Sequence, residues 1–477
     1  MIPMTTTFRS LSLTFALCLH YYYYYRSVAI QRPNSLGAPG LRSTTEVIDK
    51  SSYFATAVTK TPEITTVVGQ AQTKDAPLWA PTPRPVPAFY PLERSSRFVE
   101  HDLADVVVRV SEANRLLSIH AVYCNETATA TLLTHENVEM HLSLWKTSGK
   151  QEGIVIEIQR RKGDSIAFHR YSRCILDAAA GELDIHDHVE KNGDDIDAVF
   201  SRKVQRLLTL ETPKDSRSEA ENAVIAIEIA HGLIMKDRID ARQLGLESLC
   251  LLTDPKKTGP TTALIASRVV LLGSAQVIDS DNASAPEEAL LCDETPFQEI
   301  RQALLSLIQF RRIGDADDFA DEEEASEESE YITVLHNLAL AVLANALDVI
   351  ADEELESSMS PDPEDVPIGR SRLDTSESIS ERFLEDSLEC SDNREIMKTL
   401  ISELGKAGMK PHNACLSAKC IGSLCRASQK ARKRAKELGA KNVVQTALDV
   451  GTRTHLKLER ECSKVMSSLT ENTTNSD

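Results

Sequence analysis

The chain has 477 residues, and its 53 Lys and Arg against 72 Asp and Glu give a formal net charge of −19. This length allows about three domains, so a core can be buried without disulfides or structural metals. The acidic total argues against a general nucleic-acid-binding or membrane-binding coat. Aromatic residues make up 5% of the chain and become rare after residue 200, which favours aliphatic helical packing in the C-terminal half.

Residues 1–95 are predicted to form a disordered leader. From residue 26 this segment is rich in Ser, Thr and Pro and ends in APLWAPTPRPVPAFYP, where frequent prolines prevent a helix or a central strand and leave the chain disordered or extended. The apolar N-terminus, followed by Tyr21 to Tyr25, resembles a weak targeting segment without a small-residue cleavage site. A wrongly assigned start codon is the alternative interpretation.

Residues 96–185 are predicted to form an α+β domain. FVEHDLADVVVRVSEANRLL, which starts at Phe98, has the apolar spacing of a helix. Turn residues then separate four short segments, SIHAVYCNET, ATATLLTHEN, EMHLSLWKT and GIVIEIQRR, whose β-branched or alternating composition indicates antiparallel strands. Helical spacing returns in SIAFHRYSRCILDAAAG. Helix, antiparallel strands and helix in this order are typical of an α+β fold.

Only helices are predicted after this domain. Two acid-rich stretches interrupt them, and these hold too few apolar residues to bury a core of their own. The predicted order is a helical block at 186–312, an acidic disordered insert at 313–330, a buried helix at 331–352, an acidic Ser/Pro linker at 353–392, a C-terminal helical block at 393–470 and a disordered tail at 471–477.

Residues 331–351 raise the question of a membrane-spanning helix. They are mostly apolar over a spanning length. His336, Asn337, Asn345 and Asp348 interrupt them, and each of these is costly in hydrocarbon. The sequence therefore predicts a buried helix and no transmembrane segment.

Bases concentrate in WKTSGKQEGIVIEIQRRKGDSIAFHRYSR, although the chain as a whole is acidic. Bases on a strand end, the next turn and the following helix would meet on one face if the fold brought these elements together, and guanidinium groups there would bind phosphate oxygens. A solvated edge strand defended by charge is the alternative. The candidate residues are Lys146, Arg160, Arg161, Lys162, Arg170 and Arg173.

The run RRKGDSIAFH, from Arg160 to His169, resembles the end of the kinase-associated-1 domain. In that family the last strand passes through a basic pair, a Gly and a Ser-hydrophobe-Ala-Phe segment into the final helix. The resemblance implies a four-stranded antiparallel sheet flanked by two helices. It also implies docking to anionic phospholipids, or to a partner domain, with Arg160 and Arg161 at the positions of the basic pair.

The segment KPHNACLSAKCIGSLCRASQKARKRAKELGAKNVVQTALDVG resembles an armadillo repeat through the turn Gly439-Ala440 and the Val/Leu-rich helix that follows it. Glycine allows two helices to turn sharply. The resemblance implies an all-α armadillo-like superhelix, whose stacked repeats form a continuous groove for an extended protein ligand. An irregular helical bundle is the alternative.

This segment also contains a basic stretch, with seven bases and one acid over residues 426–441. It resembles a nuclear-import signal or a phosphate-binding face. On a packed helix, however, Lys and Arg stems commonly cover apolar surface, and the acid run 315–330 would be able to screen the cluster within the same chain. The candidate residues are Lys430, Arg432, Lys433, Arg434 and Lys436.

No enzyme signature is present: the sequence lacks a Gly-rich phosphate loop, a nucleophile elbow and the kinase motifs. We therefore predict no enzymatic activity, no catalytic residue and no cofactor. The spacing of Cys415, Cys420 and Cys425 rotates by about 140° per step around a helix, so these thiols cannot share one face and we predict no metal.

The predicted function is a non-enzymatic scaffold or adaptor that binds an unidentified protein partner through the armadillo-like surface, with anionic phospholipid as a second ligand of the α+β domain. The alternative is a nuclear or nucleic-acid-associated factor that uses residues 426–441. Ten scattered cysteines indicate reduced thiols. We expect a cytoplasmic location, with the nucleus, or an organelle addressed by the N-terminus, as alternatives.

Overall fold

The computed structural model describes eight stretches of the chain, within which an antiparallel sheet comes first and helices follow. The stretches are 79–87, 89–147, 153–192, 216–275, 294–309, 325–359, 378–389 and 395–470. Most of the predicted leader, the first acidic insert up to residue 324, the middle of the Ser/Pro linker and the tail 471–477 lie outside the described residues.

The described residues within 84–192 contain one sheet and three helices. The antiparallel strands have the order β2-β6-β5-β4-β3, and β1 pairs in parallel with the end of β5. This sheet confirms the predicted α+β beginning of the chain. The elements are β1 Arg84–Pro85, β2 Ser96–Val99, α1 Leu103–Leu116, β3 His120–Cys124, β4 Thr129–Leu133, β5 Glu139–Lys146, β6 Ile154–Lys162, α2 Ser165–Ala179 and α3 Ile185–Asn192.

The helix predicted from Phe98 begins later than the periodicity indicated. Residues 96–99 form β2 and pair with β6, where Phe98 lies opposite Val155. Val99 is buried while Phe98 is partly exposed, which is the alternation of a strand. The side chain of Asp102 then caps α1 by accepting a hydrogen bond from the backbone N–H of Leu103 (2.8 Å). The backbone N–H and C=O groups at the edge of β6 need hydrogen-bond partners, and residues 96–99 supply them. This pairing overrides the helical spacing of the local apolar residues.

The core of this domain lies between the two flanking helices and one face of the sheet. Strand residues that alternate along β4, β5 and β6 point into it, so one face of each strand is apolar and buried. Its members include Val106, Val110, Leu132, Leu142, Ile156, Ile158, Phe168 and Ile175.

Described structure begins at residue 79, within the segment 1–95 that the sequence predicted to be a disordered leader. Trp79 is only 2% exposed and stacks on Tyr123 with ring centroids 4.9 Å apart. Its Nε1 donates a hydrogen bond to the carbonyl of Cys124 (3.5 Å). The prolines prevent regular structure, but an extended segment that passes along the sheet needs few backbone partners and gains the burial of one large aromatic side chain.

A buried carboxylate anchors the same segment farther along. Glu157 on β6 is fully buried and accepts hydrogen bonds from the Tyr90 hydroxyl (3.1 Å), the Glu93 backbone N–H (2.9 Å) and Trp145 Nε1 (3.3 Å). A buried carboxylate is tolerated only when its oxygens are hydrogen-bonded. Glu157 therefore joins residues 90–93 to the middle of the sheet.

Helices make up the rest of the described chain. They are α4 Ser216–Ile234, α5 Ile239–Leu252, α6 Pro255–Thr258, α7 Pro260–Leu272, α8 Thr295–Gln309, α9 Ala325–Met359, α10 Ile379–Glu389, α11 Ile396–Leu404, α12 Pro411–Ala427, α13 Gln429–Glu437, α14 Ala440–Thr454 and α15 Leu456–Thr470.

Helix α9, 35 residues long, runs through the middle of the helical region. It packs against α5, α7 and α8, which precede it, and against α12, which follows it. Its segment Tyr331–Glu356 has the length and hydropathy of a membrane span, but its apolar side chains, Leu340 and Leu347 among them, are buried by neighbouring helices. The described residues therefore contain no clear transmembrane segment.

Three of the polar residues that interrupt this apolar run bind neighbouring helices. His336 Nδ1 is 3.0 Å from the carbonyl of Leu307 on α8. Asn345 donates to the carbonyl of Cys250 on α5 (3.4 Å). Asp348 accepts from Arg426 on α12 (2.8 Å). Each polar group thus fixes α9 to a different helix and satisfies its own hydrogen-bonding capacity in a buried place.

The predicted disordered linker 353–392 contains helical structure at both of its described ends. Residues 353–359 complete α9, and residues 379–389 form α10. Phe383 is fully buried. Composition predicted disorder because the segment has few apolar residues, but one buried aromatic side chain together with ion pairs to other helices holds α10 in place.

We predict that Glu157→Ala destabilises the α+β domain by about 3 kcal/mol, because it removes the buried acceptor of three partly buried hydrogen bonds. Glu157→Gln keeps one acceptor and should cost less. The free energy of unfolding from urea titration of the full chain checks this. Glu139→Ala, at a partly exposed position of the neighbouring strand, is the control, with a change of about 0.5 kcal/mol or less. Equal effects of Glu157→Ala and Glu139→Ala would contradict the anchoring role.

Candidate functional site

The bases predicted to meet on one face of the α+β domain lie at two ends of the sheet. Arg160 pairs with Met140 and Lys162 with Glu139, whereas Lys146 pairs with Ile154 at the other end of the same ladder. Arg160, Arg161 and Lys162 are exposed at the end of β6. Lys146 therefore does not join them.

Arg170 is held by an acid of its own chain. Its Nη2 lies 2.7 and 2.8 Å from the two carboxylate oxygens of Glu136, and the Arg170 side chain is only 17% exposed. Arg173 is exposed on α2. Lys146 and Arg170 therefore drop out of the six predicted phosphate-binding residues. Arg160, Arg161 and Lys162, which we call the strand-end trio, remain together at the end of β6, and Arg173 lies on the helix that follows.

The second predicted basic cluster, on α13, pairs with acids from the linker region. Lys430 Nζ lies 2.9 Å from Glu385 and 3.2 Å from Glu381, both on α10. Arg434 makes two parallel bonds to Glu395 (2.6 and 2.7 Å). Sequence reasoning expected screening by the acid run 315–330, whereas the acids that meet these bases come from residues 381–395.

The other bases of α13 have different surroundings. Lys433 and Lys436 are exposed, and neither has an acid within ion-pair distance in the described stretches. Arg432 is half-buried, and its Nε lies in a buried place without a hydrogen-bond partner. In the predicted import or phosphate-binding patch, Lys430 and Arg434 are therefore ion-paired with acids. Lys433 and Lys436 have no such partner among the described residues.

Helix α10 lies in a groove of the helical region, which we call the α10 groove and which α7, α9, α11 and α13 form. Phe383 enters it and is fully buried. Asp386, the residue after Glu385, accepts a hydrogen bond from Arg301 on α8 (3.1 Å). An acidic helix is thus held by one aromatic anchor and by bases from two other helices.

The N-terminal end of α10 is fixed to α9 by Glu354. This carboxylate accepts from the hydroxyl of Ser378 (2.8 Å) and from the hydroxyl of Ser380 (3.0 Å). It also accepts from the backbone N–H of Ser380 (3.2 Å). The sequence contained no signal for this contact beyond the Ser/Glu composition, because 24 residues separate Glu354 from Ser378.

A chain of hydrogen bonds between histidines connects the α+β domain to the C-terminal helices. His412 Nε2, on α12, lies 2.9 Å from the carbonyl of Leu133 at the end of β4. His412 Nδ1 lies 3.0 Å from Nε2 of His455, between α14 and α15. The backbone N–H of Leu458 donates to His455 Nδ1 (3.2 Å). Sequence reasoning did not identify this chain.

The partners determine the protonation of both rings. A backbone carbonyl only accepts, so His412 Nε2 carries a hydrogen, and a backbone N–H only donates, so His455 Nδ1 carries none. His455 Nε2 must then donate to His412 Nδ1. Both imidazoles are therefore neutral, and an added proton on either one removes an acceptor from the chain of bonds.

Burial and neighbouring cations favour the same neutral state. The pKa of His412 is lowered to about 4: burial is the largest cause, the bond to Leu133 opposes it, and His120 and Lys457 add to the lowering. Burial also lowers the pKa of His455, with His412, Lys457 and His120 contributing. The same junction contains a hydrogen bond from the Lys457 N–H to Ser118 (2.9 Å).

The cysteines of α12 behave as apolar side chains. Cys420 and Cys425 are fully buried, Cys415 is partly exposed, and burial raises the pKa of Cys425 to about 12. No group of three or more His, Cys, Asp or Glu in the described stretches has the geometry of a metal site.

Among protein-family models, curated proteins and solved structures, none matches this chain. The resemblances to the kinase-associated-1 domain and to the armadillo repeat therefore stay predictions.

We predict that the chain loses stability as the pH falls from about 6.5 to about 4. Below pH 6.5 the unfolded chain binds protons at His412 and His455, while the folded chain does not until the pH reaches the lowered folded pKa values. Stability from this source is therefore complete above pH 6.5 and lost on acidification. Thermal unfolding across this pH range measures the slope.

His412→Gln and His455→Gln should each flatten that slope, because each removes a titrating ring. His101→Gln, at an exposed position, is the matched control and should leave the slope unchanged. A slope that is the same in wild type, His412→Gln and His455→Gln would contradict the protonation scheme.

Proposed function

We propose that the chain is a non-enzymatic scaffold or adaptor that binds a protein partner through the surface of its helical region. The observation that supports this function is the acidic helix α10 in the α10 groove. The occupant belongs to the chain itself, but its sequence neighbours on both sides, 360–377 and 390–394, are acidic or polar connecting segments. The groove is therefore a helix-binding surface with a tethered ligand.

The geometry of this groove indicates which partner it would accept. Helix-in-groove recognition uses a few apolar anchors along one face, with charges at the rim that set specificity and orientation. Here the anchor is Phe383, and the rim bases are Lys430 and Arg301. A partner of matching chemistry is an acidic amphipathic helix with an aromatic residue on its apolar face.

Binding of a free α10 peptide tests this function. We expect a labelled peptide of residues 378–389 to bind the full chain with Phe383→Ala at least ~10-fold more tightly than it binds the wild-type chain. In the wild type the tethered helix competes at an effective concentration in the millimolar range. Fluorescence anisotropy at two salt concentrations measures the affinity, which should fall with salt because the rim pairs are partly exposed.

The matched control is the same peptide with Ala in place of Phe383, which should not bind. Equal affinity for wild type and the Phe383→Ala chain, or equal affinity of both peptides, would contradict an aromatic-anchored groove.

Docking to anionic phospholipid is a second candidate function, and the strand-end trio favours it. Arg160, Arg161 and Lys162 are consecutive and exposed at one end of the sheet. An exposed base near an anionic bilayer contributes about 1 kcal/mol of attraction. Two or three bases would give a weak, salt-dependent interaction that supplements partner binding.

We predict that the full chain sediments with vesicles that contain phosphatidylserine and not with phosphatidylcholine vesicles, and that Arg160→Glu with Arg161→Glu abolishes this binding. Lys146→Glu is the control, because Lys146 lies at the other end of the same strand ladder and should contribute little. Binding to both kinds of vesicle, or an equal loss with Lys146→Glu, would contradict docking through the strand end.

A further inference from the structure

The contact between Glu354 and the start of α10 depends on three donated hydrogens, two of them from serine hydroxyls. Glu354 Oε1 accepts from the hydroxyl of Ser378 (2.8 Å) and from the backbone N–H of Ser380 (3.2 Å), and Oε2 accepts from the hydroxyl of Ser380 (3.0 Å). An ionised carboxylate offers no hydrogen of its own. A negative charge on the Ser378 oxygen, with the loss of its hydrogen, therefore turns an attraction into a repulsion.

The described residues next to Glu354 on α9 are mainly acids, and Arg426, which pairs with Asp352 (3.1 Å), is already engaged. Asp352, Glu353 and Glu356 share the same end of α9 with Glu354. Arg268, on α7, lies 3.9 Å from Glu353 and is engaged there. Burial raises the pKa of Glu353, and Glu354 and Glu356 raise it further. An anion at Ser378 would therefore enter a place where carboxylates already repel one another.

The two serines differ in access. Ser380 is 1% exposed within the first turn of α10, whereas Ser378 is partly exposed and directly follows the connecting segment that ends at Glu377. Glu377 precedes Ser378, and Glu381 lies three residues after it. A protein kinase whose substrate groove is basic would recognise these flanking carboxylates.

We infer that Ser378 is a phosphorylation site and that its modification releases α10 from the α10 groove. A serine kinase transfers the γ-phosphoryl group of ATP: the bond between Ser378 Oγ and phosphorus forms, the bond from phosphorus to the bridging oxygen breaks, ADP leaves, and the hydroxyl proton passes to the base of the kinase. The inference rests on the proposed function, since it takes the released groove to be the partner site.

Phosphorylation acts on docking and on helix formation in opposite directions. A phosphate at the N-terminal end of a helix is favourable for that helix by itself. Across the contact, however, a group with a charge of about −2 faces Glu354 at hydrogen-bond distance and has lost the hydrogen that bonded to it. Release therefore means undocking of α10. An isolated helix of 11 residues frays in water, so its amides lose protection while the part of the α10 groove that held Phe383 is left open.

Hydrogen exchange of the full chain tests the release. With Ser378→Glu, the amides of residues 379–389 should exchange about tenfold faster or more than in wild type, while those of α9 and α12 stay unchanged. Ser378→Ala removes one hydrogen bond without adding charge and should have a smaller effect. Equal exchange in Ser378→Glu and Ser378→Ala would overturn the electrostatic mechanism.

A double-mutant comparison isolates Glu354. In a chain with Glu354→Gln, the further change Ser378→Glu should add little to the exchange rate, because the opposing charge is gone. A full additional effect of Ser378→Glu in that background would overturn the assignment of Glu354 as the group that responds.

The modification itself is tested with an acid-directed serine kinase, ATP and the folded full chain, followed by peptide mapping. We expect phosphate on Ser378 and none on Ser380, which is buried. Phosphate on Ser380 with Ser378 unmodified would overturn the site.

The two proposals fail separately. If Ser378→Glu opens α10 but the free α10 peptide does not bind the Phe383→Ala chain, the partner-groove function fails and the switch stands. If the peptide binds but Ser378→Glu leaves α10 protected, the switch fails and the groove stands.

Discussion

The need to bury helix α9 constrains the whole helical region. A 35-residue helix with an apolar run of membrane-spanning length must be covered on several sides in water. The helices before the acidic insert cover it on one side, and α12 covers it on another. Asp348 connects to Lys419 and Arg426 of α12. Burial would raise the pKa of Asp348, but these two cations hold it below the usual value. Segments that the sequence separates into blocks thus share one core.

Two sets of polar contacts attach other parts of the chain to this core, and they differ in chemistry. The neutral pair His412 and His455 fixes the end of β4 to α12 and uses every nitrogen of both rings. Protonation of either ring removes one of these hydrogen bonds. Helix α10, by contrast, is held by one aromatic anchor, by hydroxyl hydrogen bonds to Glu354 and by partly exposed ion pairs, each of which contributes little in water.

The sequence predicted the basic residues of each candidate site but not the acids that pair with them. Sequence reasoning selected the bases of α13 because their run is visible along the chain. It missed their acidic partners Glu381 and Glu385, which lie in a segment of disordered composition, and Glu395, which lies at the start of the predicted C-terminal block. It also grouped Lys146 with Arg160, although antiparallel pairing puts them at opposite ends of a ladder. Isolated acids and histidines carry no periodic signal, so their partners could not be predicted.

What the sequence by itself determined is local: the alternation of the strands, the apolar length of α9 and the sharp turn at Gly439, whose φ of 73° favours glycine. These features depend on residues close together along the chain. Tertiary structure alone decided that Phe98 lies in a strand, that the prolines near Trp79 follow the sheet, and that α10 is ordered. Each of these outcomes depends on partners at least 45 residues away, such as Cys124 for Trp79 and Lys430 for Glu385, because buried groups choose partners by position in space.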